Sequence, residues 1–148
     1  MKNTIIILAV MLFVISNVLG QSLDSLKITD KEMPKEYTIS KKSKCISIQA
    51  CTFYDSPEMY ETLIGKIKRK DIQDFESKAD NGSIMYFEFE NGFKGEGFLG
   101  GLLWGGDKPT KEHPEEYFAK GNILIIWSFK KGSQIKHISE VKIKSLLK

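Results

Sequence analysis

Hydrophobic positions along the chain change period from segment to segment, and each period predicts a different element. Residues 57–68 set Met59, Tyr60, Leu63, Ile64 and Ile67 at helical spacing on one face. Ser56 suits the cap, Pro57 the first helical position, and Glu58 the positive end of the dipole. Lys66, Lys68, Arg69 and Lys70 would load the opposite end, so a helix is expected over 57–68. Residues 83–90 (SIMYFEFE) read as a strand, with Phe87 and Phe89 on one face and Tyr86 and Glu88 on the other. Residues 123–129 (ILIIWSF) are apolar on both faces at their start, which predicts a central strand.

Weaker alternation predicts short strands over 36–40, 45–49 and 71–78, and Asp80-Asn81-Gly82 predicts a turn. Asn91-Gly92 has the composition of a type I′ hairpin, which would return the chain antiparallel from Phe93. Residues 133–147 predict a helix capped by Ser133, with a strand and a short helix as the alternative. No internal repeat and no second core is visible. The fold class expected is α+β: a single domain over 34–148, mainly antiparallel sheet, covered by two or three helices.

Residues 5–15 (IIILAVMLFVI) form an unbroken apolar run behind Lys2, the one charge before Asp24. Val18 and Gly20 then occupy the −3 and −1 places of a small-residue cleavage site. Spanning a bilayer takes about 20 apolar residues, and this run is too short. The expectation is a signal peptide over 1–20, a polar leader over 21–33 carrying Leu23, Leu26 and Ile28, and export to the periplasm or the medium. No stable membrane insertion is expected after cleavage. The lysine- and isoleucine-rich composition has the character of small exported bacterial proteins, and that character carries no activity with it.

Charge narrows the partners. The full chain has 22 basic and 19 acidic residues, a net of +3, too near neutrality to demand a polyanion. Arg69 is the single arginine, and bidentate recognition of phosphate or guanine needs guanidinium geometry. No nucleic-acid partner is expected. Two cysteines in an oxidising compartment raise a disulfide, but Cys45 and Cys51 are six residues apart. Bridging them needs a turn within 46–50, a stretch without Gly, Pro, Asn or Asp. Two separate buried thiols are the favoured reading.

Residues 93–106 (FKGEGFLGGLLWGG) hold half of the chain's 12 glycines. Gly95 to Gly100 match G-x-G-x-x-G, but a preceding hairpin turn and an early Gly105-Gly106 stop remove the strand–helix context a dinucleotide needs. The apolar side chains Phe98, Leu99, Leu102, Leu103 and Trp104 carry more information. They either close one end of the sheet as core or form an adaptable apolar surface rimmed by Asp107, Lys108, Thr110 and Lys111. His113 stands among carboxylates, with Pro114 read as a helix start carrying Glu115 and Glu116. A zinc site needs three or four ligands, and one imidazole does not supply them; His137 is expected on the surface.

These readings give a small exported, non-enzymatic binding module that uses Phe98, Leu99, Leu102, Leu103 and Trp104. Its partner is an unknown protein or a small apolar ligand, and no cofactor is expected. Two alternatives stand beside it: a small hydrolase or metal-dependent enzyme around His113, and an immunity- or inhibitor-type protein.

Overall fold

A five-stranded antiparallel sheet in the order β1-β2-β3-β5-β4 carries helices on both of its faces. The computed structural model describes residues 22–148, and the expected signal peptide lies outside them. The strands are β1 (Thr38–Ile39), β2 (Ile67–Glu76), β3 (Asn81–Phe89), β4 (Glu116–Lys120) and β5 (Ile123–Phe129). The helices are α1 (Leu23–Leu26), α2 (Ile48–Asp55), α3 (Glu61–Ile64), α4 (Glu96–Trp104) and α5 (Gln134–Leu146). This is the α+β class expected, in one domain.

Burial explains the order. All seven residues of β5 are buried, and so are those of β3 apart from Asn81 and Glu88. Alternation sends Ile84 and Tyr86 with Ile125 and Trp127 to one face, where Leu23 and Leu26 of α1 and Ile135 and Ile143 of α5 cover them. Met85, Phe87 and Phe89 with Leu124 and Ile126 go to the other, against Phe53 of α2, Ile64 of α3, and Leu99 and Leu103 of α4. Phe87 and Phe89 therefore share a face opposite Tyr86, as the alternation predicts. Ser133 caps α5 by accepting the Lys136 N–H, which supports the helical reading of the C-terminal segment.

The segment ahead of β1 is part of this core. Leu23, Leu26, Ile28 and Tyr37 are buried, and Gln73 holds the Ile28 backbone at both ends, accepting its N–H and donating to its carbonyl, each at 2.9 Å. Lys142 of α5 donates to the Lys27 carbonyl at 2.6 Å and pairs with Glu32 at 2.8 Å.

Several elements differ from expectation. The helix over 57–68 is instead a 3₁₀ turn, Pro57–Tyr60, and a four-residue α3, and Ser56 makes no side-chain cap. Gly65 ends it with φ +101°, and residues from Ile67 onward join β2, nine of whose ten residues pair in register with β3 around a bulge at Lys68. Met59 and Leu63 consequently face solvent. Lys66 lies just ahead of β2 and pairs with Glu90 at 3.0 Å. On the strand, Lys68 meets Glu88 at 2.8 Å, Arg69 meets Asp24 through its two terminal guanidinium nitrogens, and Lys70 donates to the Tyr54 and Asp55 carbonyls. Gly92 takes φ +92°, but Asn91 does not take a positive φ, so no type I′ turn forms. The chain then enters α4 instead of a returning strand.

Cys45 and Cys51 form a disulfide, with Cα atoms 5.9 Å apart, so the two-thiol reading is corrected. The reversal comes from a helix start. Ser47 accepts the Ala50 N–H, and α2 begins at Ile48, which folds Cys51 back beside Cys45 without Gly or Pro. The same cap removes the strand expected over 45–49.

Two outcomes follow from these contacts. Closing a six-residue loop restrains the unfolded chain by about 2 kcal/mol, so Cys51→Ser is expected to lower the urea-unfolding free energy by about that amount relative to oxidised protein. An unchanged midpoint would refute it.

Stability is also expected to fall at both pH extremes. Hydrogen bonds from Arg69 and Lys27 hold the Asp24 carboxyl below its ordinary value. Burial acts to raise Glu32 and Glu140, but Lys142 and Thr29, and Lys136 and Lys144, outweigh it and leave both lowered. Lowered carboxyls stabilise above about pH 4 and lose that contribution as pH falls through their folded values. Burial raises Tyr37 and Tyr86, with the Asp80 and Asp71 charges adding to it, and these groups stabilise below about pH 10 and not above. Melting by circular dichroism is expected to show a plateau between about pH 5.5 and 9, with losses on either side.

Candidate functional site

The glycine-rich segment forms an ordered helix, α4, although each interior glycine costs about 1 kcal/mol of helix propensity. Packing supplies the compensation. Leu99 and Leu103 are fully buried against β3 and β5. Gly100 lies under the Trp104 ring, where a Cβ would come within 3.3 Å of the indole. Gly105 ends the helix in the left-handed region at φ +64°, its N–H donating to the Gly101 carbonyl.

The expected patch is thereby divided. Leu99 and Leu103 are core, whereas Phe98, Leu102 and Trp104 remain half-buried at the surface. Phe98 packs on Tyr60 at 5.2 Å between ring centroids, and Trp104 stacks on Tyr117 of β4 at 5.5 Å and 23°. Both rings of the stacked pair are fixed by hydrogen bonds. The Trp104 indole donates to the Glu115 carbonyl at 2.8 Å, and the Tyr117 hydroxyl donates to the Glu96 carbonyl at 2.9 Å. Burial, with the Glu96 charge second, raises the Tyr117 phenol above its ordinary value and keeps that donor protonated.

Between these rings and the helix lies a cleft of about 440 Å³, with Gly97, Gly100, Gly101 and Gly105 along it and Glu96 and Asp107 at its rim. Beyond the flanking residues and the helix's own backbone, no atom lies within 4 Å of where a Cβ would stand at Gly97, Gly101 or Gly105. Glycine here leaves space beside an aromatic wall. Of the rim residues expected, Asp107 borders this cleft, whereas Thr110 and Lys111 border a groove on the other face of the sheet. Lys108 is exposed and borders neither. Tyr117 is the wall residue that sequence reasoning missed. The β-prone aromatic pair Tyr117-Phe118 within 116–120 was its available signal, obscured by reading Pro114 as a helix start.

Pro114 instead precedes β4, and Glu115 is fully buried. Glu115 ends a polar row across the sheet with Asp74, Ser83 and Ser128. Asp74 pairs in register with Ser83, Ser83 with Ser128, and Glu115 Oε1 lies 3.5 Å from Ser128 Oγ. The row holds the disulfide segment: Lys44 N–H donates to Asp74 Oδ1 at 2.8 Å, and Ile46 N–H to Ser128 Oγ at 2.9 Å. Glu115 Oε2 and His113 Nδ1 are buried without a hydrogen-bond partner.

The alternative enzyme reading gains little from this arrangement. Both cysteines are oxidised and offer no thiolate. His113 lies ahead of β4 and His137 on the exposed side of α5. Among the described residues, no group of three or more His, Cys, Asp and Glu side chains is placed to hold a metal ion. No helix among them is long and apolar enough to cross a membrane. Comparison with protein-family models, curated proteins and solved structures finds no match.

The two tryptophans differ sharply in access: Trp127 is 2% exposed, and Trp104 stands half-buried at the cleft. Acrylamide is expected to quench the wild-type emission mainly through Trp104, and Trp104→Phe is expected to leave emission that resists the quencher. Equal quenching of the two proteins would place Trp104 inside the core.

Proposed function

We propose that this protein is a small, non-enzymatic binding module, exported to the periplasm or the medium, that takes a small apolar ligand in the cleft between α4 and Tyr117. The observation that carries this reading is the glycine-lined space beside the Trp104–Tyr117 stack. Its walls are held by hydrogen bonds and its floor by two buried leucines, so the cleft needs little ordering when a ligand enters. Flat apolar ligands suit such a site, because glycine permits close approach and an aromatic face adds contact area. Export is supported by the Cys45–Cys51 disulfide, which persists in oxidising compartments, and by the apolar run and small-residue site over residues 5–20.

Indole is a suitable probe. In titrations followed by ¹⁵N–¹H resonances, indole is expected to shift the amides of Gly97, Gly100, Gly101 and Gly105. Gly101→Leu, which places a side chain in open space on the exposed side of α4, is expected to weaken binding at least about tenfold, a loss of roughly 1.4 kcal/mol. Glycine amides that stay still at saturating indole would refute the reading.

A further inference from the structure

The opposite face of the sheet carries a second, larger concavity, independent of the α4 cleft. A groove of about 760 Å³ runs between the loop ahead of β4 and the turn joining β5 to α5. Trp127 and Phe129 of β5, only 2% and 3% exposed, show narrow edges at its floor, and Pro109 and Pro114 stand along its wall. That wall is braced across its own loop: Thr110 N–H donates to the His113 carbonyl and His113 N–H to Thr110 Oγ1, both at 3.0 Å.

The rim is strongly basic. Lys111, Lys130, Lys131 and Lys136 border the groove against a single carboxylate, Glu116. Lys136 is already engaged. It pairs with Glu116 at 2.8 Å and Glu140 at 2.7 Å, and its ammonium lies 5.5 Å from the Trp127 ring centroid. This arrangement also occupies the one acid on the rim. Lys111, Lys130 and Lys131 are exposed and make no ion pair with any described residue. On β2, by contrast, Lys68 and Arg69 each meet a carboxylate.

We propose that this groove binds a small amphipathic anion. Its charged head, carboxylate, phosphate or sulfonate, sits among Lys111, Lys130 and Lys131, and its apolar body lies along Pro109 and Pro114, above the narrow exposed edges of Trp127 and Phe129. The volume is in the range of drug-sized ligands. Lysines act as point charges without the fixed fork of arginine, so the site selects for negative charge and an apolar body, not for one head-group geometry. Because these ammonium groups are exposed, affinity falls as salt screens them over about 10 Å at 0.1 M.

The test uses 8-anilinonaphthalene-1-sulfonate, with N-phenyl-1-naphthylamine as its counterpart lacking the sulfonate. The indole N–H resonances of Trp127 and Trp104 separate this groove from the α4 cleft. The sulfonate probe is expected to move the Trp127 signal and leave that of Trp104 in place, to be displaced by dodecanoate, and to bind at least about tenfold more tightly than the neutral compound. The combined Lys111→Gln, Lys130→Gln and Lys131→Gln variant is expected to lose at least about tenfold in affinity with an unchanged melting temperature. Lys131→Gln alone serves as a milder variant and is expected to lose about two- to threefold. Equal affinity for the neutral compound, unchanged affinity in both variants, or displacement by inorganic phosphate as effective as by dodecanoate would overturn the proposal. Binding to anionic phospholipid vesicles without binding of the monomeric probe would overturn it as well.

Discussion

Two adjacent strands, β3 and β5, bury side chains on both of their faces, and this double burial governs the rest of the molecule. An antiparallel sheet often leaves one face to water. Here neither face of the centre can be left open, because Tyr86 and Trp127 point one way and Phe87 and Ile126 the other. Each face must find cover from a chain of modest length. One uses α1 and α5; the other uses α2, α3 and α4. This demand recruits a polar leader into the core through Leu23 and Leu26, and orders a glycine-rich segment as a helix through Leu99 and Leu103.

The edge strand β4 shows how such a scaffold yields binding surfaces. Successive residues point to opposite faces. Tyr117 meets Trp104 on the α4 side, and Glu116 meets Lys136 on the α5 side. The five-residue strand therefore borders both concavities. Because its neighbour β5 is wholly buried, the two share a rigid backing. The polar row from Asp74 to Glu115 marks one end of the α4 face. There the sheet's apolar side chains give way to groups that hold the disulfide segment by its backbone N–H groups.

Much of the strand content was legible because it depends on local alternation and composition. Residues 123–129 coincide with β5, and residues 83–90 fall on β3 apart from a shift at each end. The helix over 57–68 was misread because its caps and spacing are sound, yet Gly65 and the ladder with β3 offer the following residues more hydrogen bonds as strand. The disulfide was misread because the turn was sought in turn residues, whereas a serine cap and a helix start produced it. At the candidate site, all five apolar side chains were visible in the sequence, but not their division into two anchors and three surface residues.

The sequence by itself determined the class of fold, the central strands and the unusual glycine-rich segment, and it offered the capped C-terminal helix beside a strand-and-helix alternative. Each of these rests on interactions between residues close along the chain, or on burial that hydrophobic pattern reports directly. The tertiary structure alone decided that Tyr117 faces Trp104, that Lys111 joins Lys130 and Lys131 around one groove, and that Lys68 and Arg69 of β2 meet carboxylates from β3 and α1. Those encounters join residues far apart in the chain. Strand order and the burial of both sheet faces set them, and no local period encodes either.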